Sequence, residues 1–411
     1  MMFSLDLPGP VRRALRWDAT SALLGGLYLG GIFPFLGVIA RRDLHASAAL
    51  IACLSAAPSL GNLFAPLTAH HMRTRPKLPY VVWPSVAGRA MFFAMPLAAS
   101  APVFIALAAL ASAVSAFGAP AYAAVIRDAY PVERRGLLMG LVRVAQVVTS
   151  MVGALLIGQL LGVVSYRWIF PAVAALGIGS TLAFSRIGVT AEPGDRGQAP
   201  ARFSDGFRLL AVDRTFRLYS ACFFLYGLGN LIMGPVIPVF QVDELHISTQ
   251  WVGYLATAAT ALGALGYLVW GRLLDRHGPF RLLLSVIAVA AAAPLTYLLA
   301  HSVPVLLVAA VASGFAAAGA DLAYVNAAMR FAARDAVAAY AGVFAFLQAC
   351  RGLPGPFIGA ALSQALGPRP VFLVALGLWT ASAFLLLLGG ALRRTSGQPA
   401  PQSASHTTAP V

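Results

Sequence analysis

Twelve apolar runs, each long enough to cross a lipid bilayer, restrict this chain more than any motif does. A spanning helix needs about 20 mostly apolar residues. The runs fall roughly at 19–40, 46–69, 78–101, 102–126, 136–163, 168–185, 216–242, 247–270, 282–300, 303–329, 336–365 and 371–392. The third and fourth are divided at Ser100–Pro102 on length, because a single helix over both would overrun the bilayer. The 411 residues are 59% hydrophobic and 10% charged. A soluble domain carries about 25% charged residues, and soluble cores stop growing near ~250–300 residues. Too few polar groups remain to cover a water-facing surface. The expected fold class is therefore an all-α membrane protein with twelve transmembrane helices.

A net charge of +15 would suggest nucleic acid if it were gathered on one soluble face. Here the arginines fall in gaps between apolar runs, so membrane lipids are the expected anionic partner and nucleic acid is not. With a cytoplasmic N-terminus, the two ends and the even-numbered gaps hold 22 of the 29 Lys and Arg residues, against four in the odd-numbered gaps. Cytoplasmic segments are the ones enriched in Lys and Arg. A multi-pass protein of the cytoplasmic (inner) membrane with both termini in the cytoplasm is expected. The first run is long enough to span, so no cleaved leader is expected. Cys53, Cys222 and Cys350 all lie inside apolar runs without close spacing, which argues for packing and against a disulfide or a metal site.

The two sets of six runs repeat each other. Arg42-Asp43-Leu44-His45-Ala46-Ser47 returns as Asp243-Glu244-Leu245-His246-Ile247-Ser248, an offset of 201 that also pairs Gly26 with Gly227 and Pro34 with Pro235. Further on the offset is 202, pairing Tyr122 with Tyr324, Gln146 with Gln348, Gly153 with Gly355 and Phe170 with Phe372. His45 and His246 thus occupy equivalent turns and read as turn residues, not proton carriers. The expected division is an N-terminal six-helix bundle over 1–186, a linker over 187–215, a C-terminal bundle over 216–394 and a disordered tail over 395–411. Within the linker, 203–210 has the pattern of an interfacial helix, weakened by Gly206.

Between the eighth and ninth runs stands Gly271-Arg272-Leu273-Leu274-Asp275-Arg276-His277-Gly278-Pro279-Phe280-Arg281. A connection this short needs a glycine for close backbone approach and a second one to reverse the chain. On Gly271, Leu273, Asp275, Arg276, Gly278 and Arg281 it resembles the short cytoplasmic loop signature of the major facilitator superfamily. Tyr130-Pro131, followed by Arg135-Gly136, is similar to a run that many members carry after the fourth span. The repeat partner of the loop, His70–Tyr80, keeps Arg75 in place of Arg276 but loses the glycines and the acid. The resemblance implies two pseudo-symmetric six-helix bundles working by alternating access. It also implies gating roles for Gly271, Asp275, Arg276, Gly278, Arg281, Arg135 and Gly136, with Asp275 resting near Gly136 when the cytoplasmic side is shut. Arg351-Gly352-Leu353-Pro354-Gly355-Pro356 looks like the Gly-Pro signature of antiporters of the superfamily, displaced here from the fifth span to the eleventh.

Ionisable residues inside spans cost about 2.5–3.5 kcal/mol each at helix centre, so they mark a substrate path or need a partner. Four are expected here: Arg89, Arg143, Asp321 and Arg351. By resemblance, spans five, ten and eleven line the central cavity. Arg143 and Arg351 are then candidates for binding substrate, with Asn230, Gln348 and Tyr324 as polar helpers. Asp321 is the candidate proton-coupling carboxylate, pairing with Arg143 across the halves. Span three usually lies outside the cavity, so Arg89 reads as a structural arginine. No phosphate-cradling Gly-Lys loop is visible, and no cofactor, metal or enzymatic nucleophile. The expected function is a proton-coupled secondary transporter of a small polar or anionic organic solute, acting as a monomer. An exporter of hydrophobic or cationic compounds and a transport-inactive sensor or scaffold are the rivals.

Overall fold

The computed structural model describes residues 7–63, 68, 71, 72, 75–131, 133–188, 212–331 and 337–395. Most of the 187–215 linker, the 203–210 segment, nearly all of the 395–411 tail and parts of the 70–80 loop lie outside the described residues. Among the described residues the chain is helical, without strands. In order the helices are α1 (Gly9–Arg42), α2 (Ala48–Leu63), α3 (Leu78–Ala90), α4 (Ala101–Ala116), α5 (Ala119–Ala129), α6 (Arg135–Leu160) and α7 (Tyr166–Phe184). The second half holds α8 (Arg214–Met233), α9 (Val236–Asp243), α10 (Thr249–Ala290), α11 (Ala292–Leu299), α12 (Leu306–Phe331), α13 (Val337–Gly352), α14 (Pro354–Leu366) and α15 (Pro368–Thr395).

These helices group into the twelve expected spans, several of them broken. A 3-10 turn over Met91–Leu97 completes the third span, and the chain bends before α4 starts at Ala101. The α4–α5, α8–α9 and α13–α14 pairs each make one crossing. Proline explains two of those breaks, since Pro235 and Pro354 stand at the joints and lack the amide a continuous helix needs. α10 carries two crossings, divided at Gly278, where φ is 74° and ψ is 175°. That backbone conformation is open only to glycine. We expect Gly278→Ala to lower stability by about 1–3 kcal/mol, read as a depressed melting temperature in detergent. A melting curve matching the parent would rule out the strain.

Three-dimensional equivalences follow the sequence repeat. Among the described residues, the non-glycine residues with positive φ are His45 at 53° and His246 at 48°. Their turns close alike, with the Ala46 amide donating to the Ala40 carbonyl at 2.8 Å and the Ile247 amide to the Gln241 carbonyl at 2.9 Å. Ser47 and Ser248 then cap the next helices by accepting from the amides of Leu50 and Trp251. Ser180 Oγ donates to the Ser21 carbonyl and Ser382 Oγ to that of Cys222, both at 2.8 Å. One equivalence is kept with sizes exchanged: Tyr28 packs on Gly177 in the first half, and Trp379 packs on Gly229 in the second.

The ends of the molecule can be named by Asp243 and Asp275. The halves meet toward the Asp243 face. There Arg41 forks onto Asp243, with Nε 2.9 Å and Nη2 2.5 Å from the carboxylate oxygens. Gln159 Nε2 donates to the Tyr254 hydroxyl at 2.9 Å, and Thr257 Oγ1 to the Met151 carbonyl at 3.4 Å. Between those bonds α6 and α10 touch backbone to backbone. A Cβ on Gly253 would lie 2.5 Å from the Ala154 carbonyl oxygen, and one on Gly158 would lie 2.9 Å from that of Thr249. Toward the Asp275 face, by contrast, a Cβ on Gly136, Gly140 or Gly271 would meet nothing within 4 Å.

Candidate functional site

On the Asp275 side of this contact lies a cavity of about 690 Å³. Its walls belong to the first half except for Tyr267 of α10. α1 supplies Asp18, α3 Arg89, α5 Tyr122, and α6 both Arg143 and Gln146. Arg143 Nη1 donates to Gln146 Oε1 at 2.7 Å, a pairing one helical turn apart that holds the guanidinium along the wall. Arg89 is anchored on α7, where it donates to the Gly177 carbonyl and to Thr181 Oγ1. Its guanidinium carbon also lies 5.0 Å from the centre of the Tyr28 ring.

Asp18 is 3% exposed and is the buried carboxylate of the described residues. Its Oδ2 accepts from the Tyr130 hydroxyl at 2.6 Å. Tyr130 can reach it because α5 ends at Ala129 and the next residue turns extended, aiming the phenol back toward α1. Asp18 forms no ion pair with a described residue. A buried carboxylate without a cation is costly in its charged form, so hydration of the cavity or a bound proton must compensate.

Several sequence expectations place differently. Arg143 lines the cavity as expected, but it makes no ion pair with Asp321. Asp321 instead accepts from the Tyr267 hydroxyl at 2.7 Å, so the carboxylate reaches the cavity through that tyrosine. Arg351, expected on the substrate path, does not line the cavity. It is 6% exposed and donates to the Phe223 carbonyl, and to that of Phe224 at 3.4 Å. Its guanidinium carbon lies 4.7 Å from the centre of the Phe223 ring. The side chain turns toward α8 because Gly227 leaves room there that any Cβ would fill. Tyr324 stacks on the same Phe223 at 5.6 Å, Asn230 donates to the Tyr226 carbonyl at 3.3 Å, and Gln348 is exposed. None of these three lines the cavity. Arg89, expected to stand outside, does line it.

The expected contact between Asp275 and the start of the fifth span is not made in this arrangement. Asp275 and Arg276 are exposed, as are Arg281 and Arg272, and the space around Gly136 is empty. The reason is the separation of α6 and α10 toward that face. Arg135 serves its own loop, donating to the carbonyls of Arg127 at 2.8 Å and Tyr130 at 3.2 Å. Sequence reasoning missed Asp18, Tyr122, Tyr130 and Tyr267. A signal for Asp18 existed: Ala14, Leu15, Ala19 and Ala22 continue the buried face of α1 through it, one residue before the assigned span.

The model of the Major Facilitator Superfamily matches residues 19–349 and 219–410. The chain belongs to the major facilitator superfamily. It is accordingly a multi-pass membrane protein of a secondary-transporter family. An uncharacterized MFS-type transporter of Bacillus subtilis (strain 168), YuxJ, is 31% identical over 175 residues, which cover 41% of this chain and 43% of that protein. The chain thus spans less than half the length of that relative in the match. Among solved structures, a point mutant of the nucleoside transporter NupG superposes with a TM-score of 0.75 at 14% identity, covering 91% of this chain and 99% of that one. A bacterial homolog of the human lysosomal transporter Spinster, inward-facing and unoccupied, gives 0.70 at 16% identity over 96% and 100%. The human organic anion transporter MFSD10 gives 0.63 at 18% identity over 92% and 100%. At these identities the likeness establishes the fold alone, and the grouping of the described helices is consistent with twelve crossings in two pseudo-symmetric bundles.

Proposed function

We propose that this superfamily member is a proton-coupled carrier of a small anionic or polar organic solute, working by alternating access. The observation that carries the reading is the cavity with Arg89 and Arg143 in its wall, two guanidiniums that suit a carboxylate or phosphate group. Lys and Arg asymmetry supports a cytoplasmic Asp275 face. In that orientation the protein stands open to the cytoplasm and shut on the opposite side. Asp18 and Asp321 are the carboxylates available to carry protons, the first directly in the cavity and the second through Tyr267. Asp275 would close against the start of α6 when the cavity turns to the other side, where a helix N-terminus favours a carboxylate by about 0.3–1 kcal/mol.

The test is a thermal-stability screen of the purified protein against small organic anions, cations and neutral solutes. Anions should stabilise it. Arg143→Ala should weaken the best of them about 10- to 150-fold, the equivalent of one charge-assisted hydrogen bond of about 1.5–3 kcal/mol. Stabilisation by hydrophobic cations alone, unaffected by Arg143→Ala, would refute the reading. The cation-exporter alternative is favoured by one feature, the unpaired Asp18 carboxylate beside Tyr122. It would appear as stabilisation by tetraphenylphosphonium that Asp18→Asn removes.

A further inference from the structure

A second recess, of about 530 Å³, lies on the outside of the bundle at the start of α1. It is lined by Gly9, Arg12, Arg13, Arg16, Trp17 and Thr20, positions spaced three or four apart on one helix face. The opposite face, with Ala14, Leu15 and Ala22, is buried against the bundle. Arg186, at the end of the sixth span, brings a further guanidinium to this place, its central carbon 4.8 Å from the centre of the Trp17 ring.

Two observations say what the recess meets. The first is height in the membrane. α1 has 34 residues, about 51 Å at ~1.5 Å per residue, whereas the hydrocarbon core is only ~30 Å thick. Counting back from Arg42, the core is used up near Ala22, which leaves Arg16 and Trp17 at headgroup level, where tryptophan is the favoured anchor. The second is missing countercharge. On the Asp243 face three of the four arginines of the turns have a carboxylate, Arg167 being the exception among the described residues: Arg41 with Asp243 at 2.5 Å, Arg42 with Asp43 at 2.7 Å and Arg369 with Glu244 at 3.0 Å. Lys77 on the Asp275 face is likewise paired, with Asp128 at 2.6 Å. Arg12 donates to the Leu7 carbonyl at 3.2 Å, but the guanidiniums of Arg13 and Arg16 are exposed and bond to no described residue.

From this we infer that Arg13, Arg16 and Trp17, flanked by Arg12 and Arg186, form a binding site for the headgroup phosphate of an anionic phospholipid. The guanidiniums grip the phosphodiester, and the indole lies against the glycerol and upper acyl chains. The site is separate from the cavity and does not depend on what the cavity carries.

Native mass spectrometry of the detergent-purified full chain, offered equal amounts of phosphatidylglycerol and phosphatidylcholine, tests the assignment. The parent should retain phosphatidylglycerol preferentially. Each neutralised guanidinium should weaken that binding about fivefold, so Arg13→Gln with Arg16→Gln should weaken it about 25-fold. Phosphatidylcholine retention and the helical spectrum should not change. Arg13→Lys with Arg16→Lys should restore most of the preference, and Arg42→Gln, at the ion-paired end, should leave it intact. Arg16→Gln alone, expected to show the fivefold loss, serves if the double variant does not fold. The proposal is overturned if the parent shows no preference, if the glutamine variants retain phosphatidylglycerol like the parent, or if excess inorganic phosphate displaces the lipid. That last result would assign the recess to free phosphate.

Discussion

Leucine in place of Gly253 should push the halves apart on the Asp243 face and close them on the Asp275 face. Gly253 faces the backbone of α6, with the Ala154 carbonyl oxygen 2.5 Å and the Gly158 Cα 3.5 Å from where its Cβ would stand. Backbone cannot swing aside as a side-chain tip can. Overpacking of this kind costs about 1–3 kcal/mol, and a term of that size changes a two-state ratio roughly 5- to 150-fold. The strain falls only on the arrangement in which these helices touch, so it shifts the population toward the other one. Spin labels at Gly136 and Gly271 would report the shift, since a side chain at either position meets nothing within 4 Å. With Cys53, Cys222 and Cys350 replaced, the label distance should shorten in Gly253→Leu and shorten less in Gly253→Ala. Adding Asp275→Asn should undo part of the change, because it removes the contact that the closed face is proposed to make. A folded Gly253→Leu protein with the parental distances would dismiss the two-state account of this interface.

Substituting Asp18 with asparagine should uncouple transport from protons. The carboxylate is 3% exposed, lines the cavity and has the Tyr130 hydroxyl at 2.6 Å, with no ion-pair partner among the described residues. Its charge is tolerable while the cavity is wet and becomes costly when the halves seal over it. Closure on the Asp275 face should therefore take up a proton. If the two arrangements differ by one unit in proton affinity, their ratio changes about tenfold over the titration. In the parent, the labels at Gly136 and Gly271 should move closer as pH falls. In Asp18→Asn they should stay at the acidic distribution throughout. In liposomes, accumulation of the solute driven by a proton gradient should be lost while exchange between the two sides survives. Asp321→Asn is the control. If it alone removes the pH response and Asp18→Asn still titrates, the coupling site is the Asp321–Tyr267 pair.

Much of the architecture was legible in the residues. Run length predicted the spans, and the offset of 201 to 202 predicted equivalences that recur as paired turns at His45 and His246 and as paired serine bonds at Ser180 and Ser382. Gly278 was readable as the reversal point and adopts the φ of 74° that requires glycine. The breaks at Pro235 and Pro354 follow from the same local chemistry. These features depend on the covalent backbone and on transfer of short segments from water to hydrocarbon, and both are properties of neighbouring residues.

The arginines were not legible in that way. Arg89 and Arg351 are each one charge inside an apolar run, indistinguishable by depth or composition. One lines the cavity because its anchor on Gly177 and Thr181 stands at the cavity wall. The other is drawn into the packing of α8 by the gap that Gly227 leaves and by the carbonyls of Phe223 and Phe224, each of which can accept a further hydrogen bond beside the one inside the helix. Asp18 stands one residue before the assigned span, and its burial follows from α1 extending back to Gly9 and from Tyr130 folding onto it. The sequence by itself determined how many helices cross, where they turn and which turns are twins. Only the tertiary structure decided which charges share a cavity, because that depends on the direction each side chain leaves its helix and on the neighbour it meets, and the neighbour comes from a distant part of the chain.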